Sequence, residues 1–416
     1  MTALVVLACA GGDAVRCDDL VAPYVYADEP AVVLQGHGPT TCACELIPSE
    51  TTTLVVSGWM GVDLAGLGCL AELDGLGLVG NPNLVTLDGL DELTQLRELG
   101  VWGNPSLRDL DALRQLDELD LLLVSENDQL ADLQGLEGLR RAGHVELHAN
   151  ATLADLRGLG GLEEVDGLTL HTMASLEQVE ALDALHTVSG RLMVRENPLL
   201  ASVSLPALTT LGSLDVNENP RLASLAGIGP LEVLTGDVDV RDNEVLGDVD
   251  ALSGVSEVGG TLAIYRLPSL TQLDGLDGLR TVAEHLKLQD LDGLAQVDGL
   301  GALEVVAGDL VVQGNLILDS LAGLGELREV GGDVTLAIHH ALEDLDGLEG
   351  LRTIGGSLEI RSDFVLTSLQ ALHGLEEVGG DLSITDNELL PTSEAEALVE
   401  AIGIIAGEVT VSGNAD

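Results

Sequence analysis

Apolar residues recur along this chain in one fixed frame. Counted from Val334, they fall at positions 0, 2, 8, 11, 14, 17 and 20, and Leu358, at position 24, begins the same frame again. Going backwards, it also fits the stretches that start at Leu310 and Leu286. A fixed period of about 20 to 50 residues is typical of stacked structural units. The pattern therefore predicts a repeat solenoid, in which one turn of the chain forms one rung.

Each part of the frame predicts a local structure. Positions 0 and 2 indicate a short strand with one buried face, and the strands of successive rungs are expected to pair in parallel. Asn at position 5, as Asn243, Asn315 and Asn387, can bond backbone groups in the turn after the strand. The later apolar residues are spaced by three, which favours a 3₁₀-like or extended path over a full α-helix.

Glycine marks two places in the frame. Gly or Ala precedes position 14, as in Gly275 and Gly323, and is expected to allow a close backbone approach. The pair Gly331–Gly332 recurs as Gly355–Gly356 and Gly379–Gly380. These pairs are predicted to supply a corner with positive φ that sends the chain into the next strand.

Residues 54–390 follow the frame and are predicted to form the solenoid. With a last strand beyond residue 390, the predicted strands start at Leu54, Leu76, Leu99, Leu122, Val145, Leu168, Leu192, Leu214, Val238, Leu262, Leu286, Leu310, Val334, Leu358, Leu382 and Val409. That makes about sixteen rungs. The early rungs are shorter than the Val334 rung by one or two positions, and the missing residue falls in the last corner.

Residues 391–416 are predicted to form a C-terminal cap. Thr392 or Ser393 as N-cap, with acidic residues in the first turn, predicts a helix from Glu394 to Ile405. The apolar face of this helix would consist of Leu398, Val399, Ile402 and Ile405.

The first nine residues end in the sequence VLAC, which resembles the lipobox of bacterial lipoproteins. In that motif the Cys is lipidated and becomes the mature N-terminus. The resemblance implies that residues 1–9 are the remnant of a signal peptide and that Cys9 is lipidated. The alternative is an ordinary, slightly apolar terminus.

Residues 10–53 do not follow the frame and are predicted to form an N-terminal cap. They carry Cys17, Cys42 and Cys44, and Cys69 lies in the first rung. In an exported protein these cysteines are expected to form disulfides, and the cap would cover the strand edge of the first rung. Cys42 and Cys44 are too close in sequence to bond each other readily, so each is expected to reach Cys17 or Cys69. Zinc binding is the alternative, although Cys-x-Cys without a second close pair is a weak signal.

Composition supports a solenoid and limits its partners. Apolar residues make up 46% of the chain and aromatic residues 1%, as expected when identical layers use Leu, Val and Ile of similar size. The net charge of −53 argues against nucleic acid, which needs a Lys/Arg surface. We interpret the acidity as a solvated, self-repelling surface; weak cation binding is the alternative, but no calcium-loop motif supports it. No stretch is long enough to span a membrane, and no metal ion or cofactor is predicted.

The frame resembles the receptor L-domain family, which is itself similar to leucine-rich repeats. The signature G-x-L-x-I-x-x-N-x-x-L-x-x-L-x-G-L-x-x-L-x-x-V-x-G is matched by Gly236–Gly259, Gly308–Gly331 and Gly380–Asn387, and the resemblance covers about residues 54–414. It implies a right-handed parallel solenoid, secreted or on a cell surface, that binds ligands through a sheet face or loops. With the lipobox, it implies an outward-facing lipoprotein of the outer membrane. The Cys-rich region that accompanies paired L domains is absent, so receptor signalling is not expected.

Motifs for catalysis are absent from the sequence. We find no GxSxG, HExxH, Walker A or paired CxxC motif, and therefore predict no enzyme. The densest histidine feature is His339–His340. A metal site there would need a third ligand, and a turn that tolerates polar residues is the simpler interpretation.

Position 3 of the strands carries the strongest functional signal. It faces away from the core and never holds an acidic residue from Trp102 onwards to Arg361, although the chain has 70 of them. Aromatic and Arg side chains are favoured anchors of binding surfaces, whereas the alternative is that strand ends select them for β-propensity alone. The residues predicted to bind a ligand, as a nearly straight stripe, are Trp102, His148, His171, Arg195, Asn217, Arg241, Tyr265 and Arg361.

These observations predict an exported, monomeric binding module that recognises an extended glycan, peptide or protein through the outer face of its parallel sheet. Arg next to aromatic residues favours acidic or sugar-like ligands. A passive spacer of the cell envelope is one alternative. A β-helix enzyme acting on polysaccharide is another, but it would need long loops and clustered acid–base residues.

Overall fold

The computed structural model describes residues 5–8, 31–36, 47 and 51–416. The protein is a parallel-sheet β-solenoid of about fifteen turns with little helix. It divides into two compact units, Met1–Leu200 and Ala201–Asp416. No helix in the described part of the chain combines the length and apolarity needed to cross a bilayer.

The first unit is built on one ladder of parallel strands. Its strands are β1 (Val5–Ala8), β2 (Ala31–Gly36), β3 (Thr53–Trp59), β4 (Glu72–Val79), β5 (Gln95–Trp102), β6 (Glu118–Ser125), β7 (Arg141–His148), β8 (Glu164–His171), β9 (Gln178–Val179) and β10 (Thr187–Arg195). Among the described residues, β1 to β8 and then β10 pair in sequence, each parallel to the next. Positions 0 and 2 stay in register and are buried throughout, as predicted.

One strand of this ladder lies inside the segment that we assigned to the N-terminal cap. Strand β2 pairs in parallel with β3, with Val32 opposite Leu54 and Leu34 opposite Val56. Both β2 residues are buried. The apolar-x-apolar pattern of the rungs therefore also occurs before residue 54, in the strand next to the first predicted rung.

The second unit carries two ladders. Its strands are β11 (Ser202–Val203), β12 (Thr210–Asn217), β13 (Val233–Leu234), β14 (Val238–Arg241), β15 (Glu257–Val258), β16 (Leu262–Tyr265), β17 (Thr281–Val282), β18 (Leu286–Gln289), β19 (Val305–Val306), β20 (Leu310–Gln313), β21 (Glu329–Val330), β22 (Val334–Ala337), β23 (Thr353–Ile354), β24 (Leu358–Arg361), β25 (Glu377–Val378), β26 (Leu382–Thr385), β27 (Ile404–Ile405) and β28 (Val409–Ser412). The four-residue strands follow β12 in one parallel ladder, and the two-residue strands from β15 to β27 form the other.

Rung length decides between these two arrangements. The short rungs, which start at Leu54 to Val145 and at Leu192, each lead into a continuous eight-residue strand, namely β4 to β8 and β12. In the full-length rungs of the second unit, which repeat as Val334 does to Leu358, the extra residue breaks this strand into a two-residue and a four-residue piece. Strand β10 also ends a full-length rung but absorbs the extra residue as a bulge between Val188 and Leu192.

The predicted 3₁₀ path is confirmed. Short 3₁₀ helices occur at Ala65–Leu67, Asp111–Leu113, Arg157–Leu159, Asp250–Leu252, Asp274–Leu276, Asp298–Leu300, Ala322–Leu324 and Gln370–Gly374. The close approach predicted before position 14 is also present, since a Cβ on Gly275 or Gly323 would overlap the carbonyl oxygen of Val249 or Val297 in the preceding rung.

The prediction for the double-glycine corners was wrong in its reason. None of the residues Gly331, Gly332, Gly355 and Gly356 has a positive φ. They are required for their small size instead. A Cβ on Gly331 would overlap the carbonyl oxygen of Ala307, and one on Gly332 would overlap the carboxylate of Asp309.

Positive φ is found at position 4, at the end of each strand. Most of the residues at this position are not glycine. Position 4 is held in the left-handed region by Gly58, Gly80, Gly103, Glu126, Ala149, Thr172, Glu196, Glu218, Asp242, Arg266, Asp290, Gly314, Ile338, Ser362, Asp386 and Gly413. A left-handed residue other than glycine costs roughly 1 to 2 kcal/mol, so something must hold the turn in place.

The buried residue at position 5 holds this turn. Asn104 is fully buried; its Oδ1 accepts the backbone N–H of Asn81 at 3.1 Å, and its Nδ2 donates to the carbonyl oxygen of Leu78 at 2.9 Å. Both bonds reach the preceding rung. Equivalent bonds recur at Asn127 and Asn315, so these side chains form a column that joins rung to rung.

Four position-5 residues of the second unit are not asparagine, namely Leu267, Leu291, His339 and Asp363, and the last two of these are polar. His339 and Asp363 occupy consecutive position-5 sites, and both side chains are 0% exposed. The Nδ1 of His339 lies 2.8 Å from Oδ1 of Asp363, which also accepts the His339 backbone N–H at 2.9 Å. The Nε2 of His339 and the Oδ2 of Asp363 are buried and have no hydrogen-bond partner in the described part of the chain. The turn that we expected only to tolerate polar residues therefore holds a buried His339–Asp363 pair.

The C-terminal helix is shorter than predicted. It runs as α1 from Thr392 to Ala401, with Pro391 as N-cap and no side-chain cap bond. Ala395, Leu398 and Ile402 are buried. The chain becomes extended at Ile402, because Ile404 and Ile405 continue the two-residue ladder as β27 instead of the helix.

Replacing His339 and Asp363 together by asparagine should restore the column. At these two positions each new Nδ2 would face a carbonyl oxygen of the preceding rung, as the Nδ2 of Asn387 faces the carbonyl oxygen of Ile360 at 3.1 Å. We expect the double variant to raise the free energy of unfolding by about 1 kcal/mol, measured by denaturant titration. The matched control is Asn387→Asp, which sets an acceptor against that carbonyl and should lower stability by about 1 to 3 kcal/mol. A double variant less stable than the parent protein would contradict this account.

Candidate ligand-binding site

The outer face of the sheet in the first unit is unusually apolar. Outward positions on neighbouring strands lie side by side, so that Gly77 is opposite Gly100, which is opposite Leu123. At position −1, Gly75 and Leu121 flank Glu98 in the same way. A solvated sheet face would normally carry polar residues at such positions.

These residues enclose a pocket of about 310 Å³. Its floor and walls include Gly75, Gly77, Val79, Gly100, Leu121 and Leu123, and its polar lining includes Glu98, Ser125, Glu126, Glu146, His148 and His171, with Trp102 at one side. The pocket exists because side chains are missing. A Cβ built on Gly100 would find no heavy atom within 4 Å, so this strand residue leaves open space above the sheet.

Trp102 provides the largest apolar surface of the pocket. It lies at position 3 of β5, between Val79 on β4 and Ser125 on β6, and its side chain is half-buried. The other tryptophan, Trp59, is only 3% exposed, and its Nε1 donates to the carbonyl oxygen of Asp63 at 3.0 Å. Trp102 is therefore the tryptophan that a ligand could contact.

Two histidines continue the position-3 column beyond Trp102. The rings of His148 and His171 stack with centroids 4.9 Å apart and an interplanar angle of 13°. The Nδ1 of His148 lies 3.2 Å from the hydroxyl of Ser125, and Nε2 of His171 lies 3.3 Å from Glu196. Burial raises the pKa of Glu196, but its hydrogen bond to His171 and the charges of His171 and Arg195 outweigh burial and lower the pKa overall.

Three glutamates lie around the pocket. Glu98 is exposed at position −1 of β5, Glu126 follows β6, and Glu146 is half-buried at position 1 of β7. Among the described residues that line the pocket there is no Lys or Arg. The cavity thus combines an apolar floor with a negatively charged rim.

The predicted arginines are already paired with acids. Arg195 lies 3.1 Å from Glu196, Arg241 lies 3.4 Å from Asp239, and Arg361 lies 3.0 Å from Glu359. Each guanidinium therefore already has an acidic partner within the protein, with which an acidic ligand would compete.

Tyr265 and Asn217 are also engaged in the second unit. The guanidinium groups of Arg241 and Arg266 lie 5.6 and 4.8 Å from the Tyr265 ring centroid. Asn217 is 1% exposed and donates to Asp215, so the accessible polar contact that we predicted there is not present.

The predicted stripe therefore separates into two groups. Trp102, His148 and His171 come together in one pocket of the first unit, and Arg195 follows them on β10. Asn217, Arg241, Tyr265 and Arg361 belong to the second unit.

Sequence reasoning missed the pocket floor. The available signals were the run Leu121 to Val124, which breaks the alternation of a strand, and glycine at the outward positions 77 and 100.

The remaining predicted sites concern cysteines and metals. Cys69 is disulfide-bonded. Cys9, Cys17, Cys42 and Cys44 lie outside the described residues, so the lipidation and the pairing stay predictions. Within the described residues no group of three or more metal-binding side chains converges, at His339–His340 or elsewhere.

Comparisons with known proteins concern the repeat architecture. No protein-family model and no curated protein matches the chain. The structure of a leucine-rich-repeat protein from Leptospira interrogans is similar over 92% of this chain and 84% of that one, with 19% identity and a TM-score of 0.39. The crystal structure of a TLR13–ssRNA13 complex is similar over 90% and 76%, with 14% identity and a TM-score of 0.26. The structural neighbours are leucine-rich-repeat proteins.

The two tryptophans should differ in their access to solvent. We expect acrylamide to quench the emission of the Trp59→Phe variant strongly, because Trp102 remains, and that of Trp102→Phe weakly, because Trp59 is buried. Steady-state fluorescence measures both. Strong quenching that persists in Trp102→Phe would contradict the position of Trp102 at an open pocket.

Proposed function

We propose that the protein is a non-enzymatic binding module whose ligand occupies the pocket on the outer sheet face of the first unit. The observation that carries this proposal is the row of glycine and leucine side by side at outward positions, Gly77, Gly100 and Leu123. Apolar surface exposed on a sheet is unfavourable in water, and a patch with a defined pocket is typical of a ligand site.

The second unit provides an internal comparison. Its outward position 1 is mostly polar, with Asp239, Lys287, Thr335 and Glu359 beside the apolar residues Ala263 and Val311, which is close to the composition of a solvated face. A passive spacer would show that composition in both units. The apolar pocket in the first unit therefore favours binding over a spacer function.

The pocket also gives little support to catalysis. Ser125 is the hydroxyl that contacts His148, but Ser125 is only 5% exposed. A nucleophile needs access to the reacting carbon, and this hydroxyl is covered. Binding is the activity that this geometry supports best.

Removing the Trp102 side chain should weaken binding without unfolding the protein. We expect Trp102→Ala to reduce affinity for ligands found on a combined glycan and peptide array at least tenfold, about 1.4 kcal/mol. The control is Gln313→Ala, an outward position-3 residue of the second unit, which should leave affinity unchanged. Isothermal titration calorimetry and thermal unfolding measure the two effects. Array ligands bound equally well by both variants would place the functional surface elsewhere.

We further propose that the protein is exported, with a lipid anchor at Cys9. The disulfide bond of Cys69 supports this, because disulfides persist in oxidising compartments outside the cytosol. The net charge of −53 favours a monomer through self-repulsion.

Loss of the anchor would test this localisation. In a bacterial host that processes lipoproteins, Cys9→Ser should move the protein from the membrane fraction to the soluble fraction, as followed by immunoblotting. Cys69→Ser serves as the control, since it removes the disulfide of Cys69 without touching the lipidation site. Membrane association that survives Cys9→Ser would remove the hypothesis.

A further inference from the structure

We infer that the occupant of the pocket is a cationic peptide segment, in which an apolar side chain is flanked by Lys or Arg. This inference rests on the proposed function and names the ligand class of the same site. It differs from the sequence-based expectation of acidic or sugar-like ligands, because the arginines of that expectation are paired and the pocket rim is acidic.

The size of the pocket fits a single apolar side chain. Its volume of about 310 Å³ lies at the lower end of the range of ligand sites. The glycine positions admit a side chain down to the sheet, and the Trp102 ring and Leu123 offer it apolar contact. An extended peptide that places every second side chain toward the sheet could insert one of them here.

The charge of the rim fits basic neighbours of that side chain. Among the described residues, no Lys, Arg or His forms an ion pair with Glu98, Glu126 or Glu146, whereas Arg97, the arginine adjacent to Glu98 in sequence, is already paired with Asp120 at 2.8 Å. These three carboxylates are therefore open to a ligand cation, which would form charge-assisted hydrogen bonds with them.

The positions of these carboxylates follow from the sheet. Glu98 lies on β5 and Glu146 on β7, with the strand that carries Leu121 and Leu123 between them. At parallel-strand spacing the two carboxylate-bearing strands are about 10 Å apart. Glu98 therefore stands between the floor residues Gly75 and Leu121, and Glu146 lies beside Leu123, so a ligand would place one cation over the floor and another at its edge.

The whole-chain charge acts in the same direction. A net charge of −53 attracts cations and repels anions within the screening length set by the salt concentration. A neutral glycan could stack on Trp102 and donate hydroxyl hydrogen bonds to the same carboxylates, but its binding would be nearly independent of salt. Salt dependence therefore separates the two ligand classes.

The test uses three matched peptides and one oligosaccharide as probes. The peptides are acetyl-Gly-Lys-Phe-Lys-Gly-amide and its counterparts with Gln or Glu in place of both lysines, and the oligosaccharide is chitotetraose. Calorimetry measures affinity, and the fluorescence of the intact chain reports occupation of the pocket if the change disappears in Trp102→Phe. We expect the lysine peptide to bind at least tenfold more tightly than the glutamine peptide, the glutamate peptide to bind most weakly, and added salt to remove this order.

Charge variants test whether the rim is responsible. Glu98→Gln with Glu146→Gln should reduce the affinity for the lysine peptide to that for the glutamine peptide, while the glutamine peptide is unaffected. The matched control, Asp128→Asn with Glu177→Gln, changes the net charge equally at exposed positions outside the pocket and should have little effect.

Each other outcome has a distinct meaning. Equal affinity for the lysine and glutamine peptides, or Trp102-dependent binding of chitotetraose alone, would overturn the cationic ligand and leave the pocket as a binding site. Equal loss in the control variant would assign the preference to the global field and overturn the function of the rim. If no probe changes Trp102 emission or gives measurable heat, both this inference and the proposed pocket fail.

Discussion

The buried side chain that follows each strand is the interaction on which the rest of the solenoid depends. The residue before it is held in the left-handed conformation in every rung from Gly58 to Gly413, and this turns position 5 back toward the core. In most rungs an asparagine there bonds the N–H and the carbonyl groups of the preceding rung, as Asn127 does with Asn104 and Val101. The strain of the turn is local, whereas the bonds that hold it extend between rungs, so a rung is stable only against its neighbour.

A fixed connection between rungs also fixes register. Each outward position then forms a column down the sheet, and a binding site can be made by changing column members while the core stays constant. The pocket of the first unit arises in this way from Gly100 and Leu123 on neighbouring strands. At His339 and Asp363 it is the position-5 column, which joins the rungs, that changes. The change leaves two buried polar atoms without hydrogen-bond partners in the described part of the chain.

The sequence predicted those features that depend on period. Strand starts, parallel pairing and the 3₁₀ path follow from apolar spacing, because burial at identical depth repeats in every rung. It failed where three-dimensional neighbours decide. Gly332 is required because the Asp309 carboxylate of the preceding rung occupies the space of its Cβ, which no local rule of glycine conformation could show.

The site could be predicted only in part, because its floor also depends on three-dimensional neighbours. Trp102, His148 and His171 were found because they stand in one column, but the pocket floor lies in two adjacent columns whose members are glycine and leucine, residues that the frame uses everywhere. Ion pairs could not be foreseen either. Whether Arg241 faces a ligand or Asp239 depends on side-chain direction within one strand.

The wide sheet that carries the pocket in the first unit depends on a difference of one residue in rung length. In the full-length rungs position −1 lies in a corner outside the strand, and its carboxylate accepts a backbone N–H of the next rung, as Asp309 does from Asp333 and Asp333 from Ser357, at 2.8 and 2.7 Å. In the short rungs the strand runs through position −1, and ladder bonds satisfy its backbone. The side chain at this position, Glu98 or Leu121, is then not needed to bond the next rung. It projects from a strand that is longer than those of the full-length rungs. A shorter rung thus converts a position that joins the stack into one that can face a ligand.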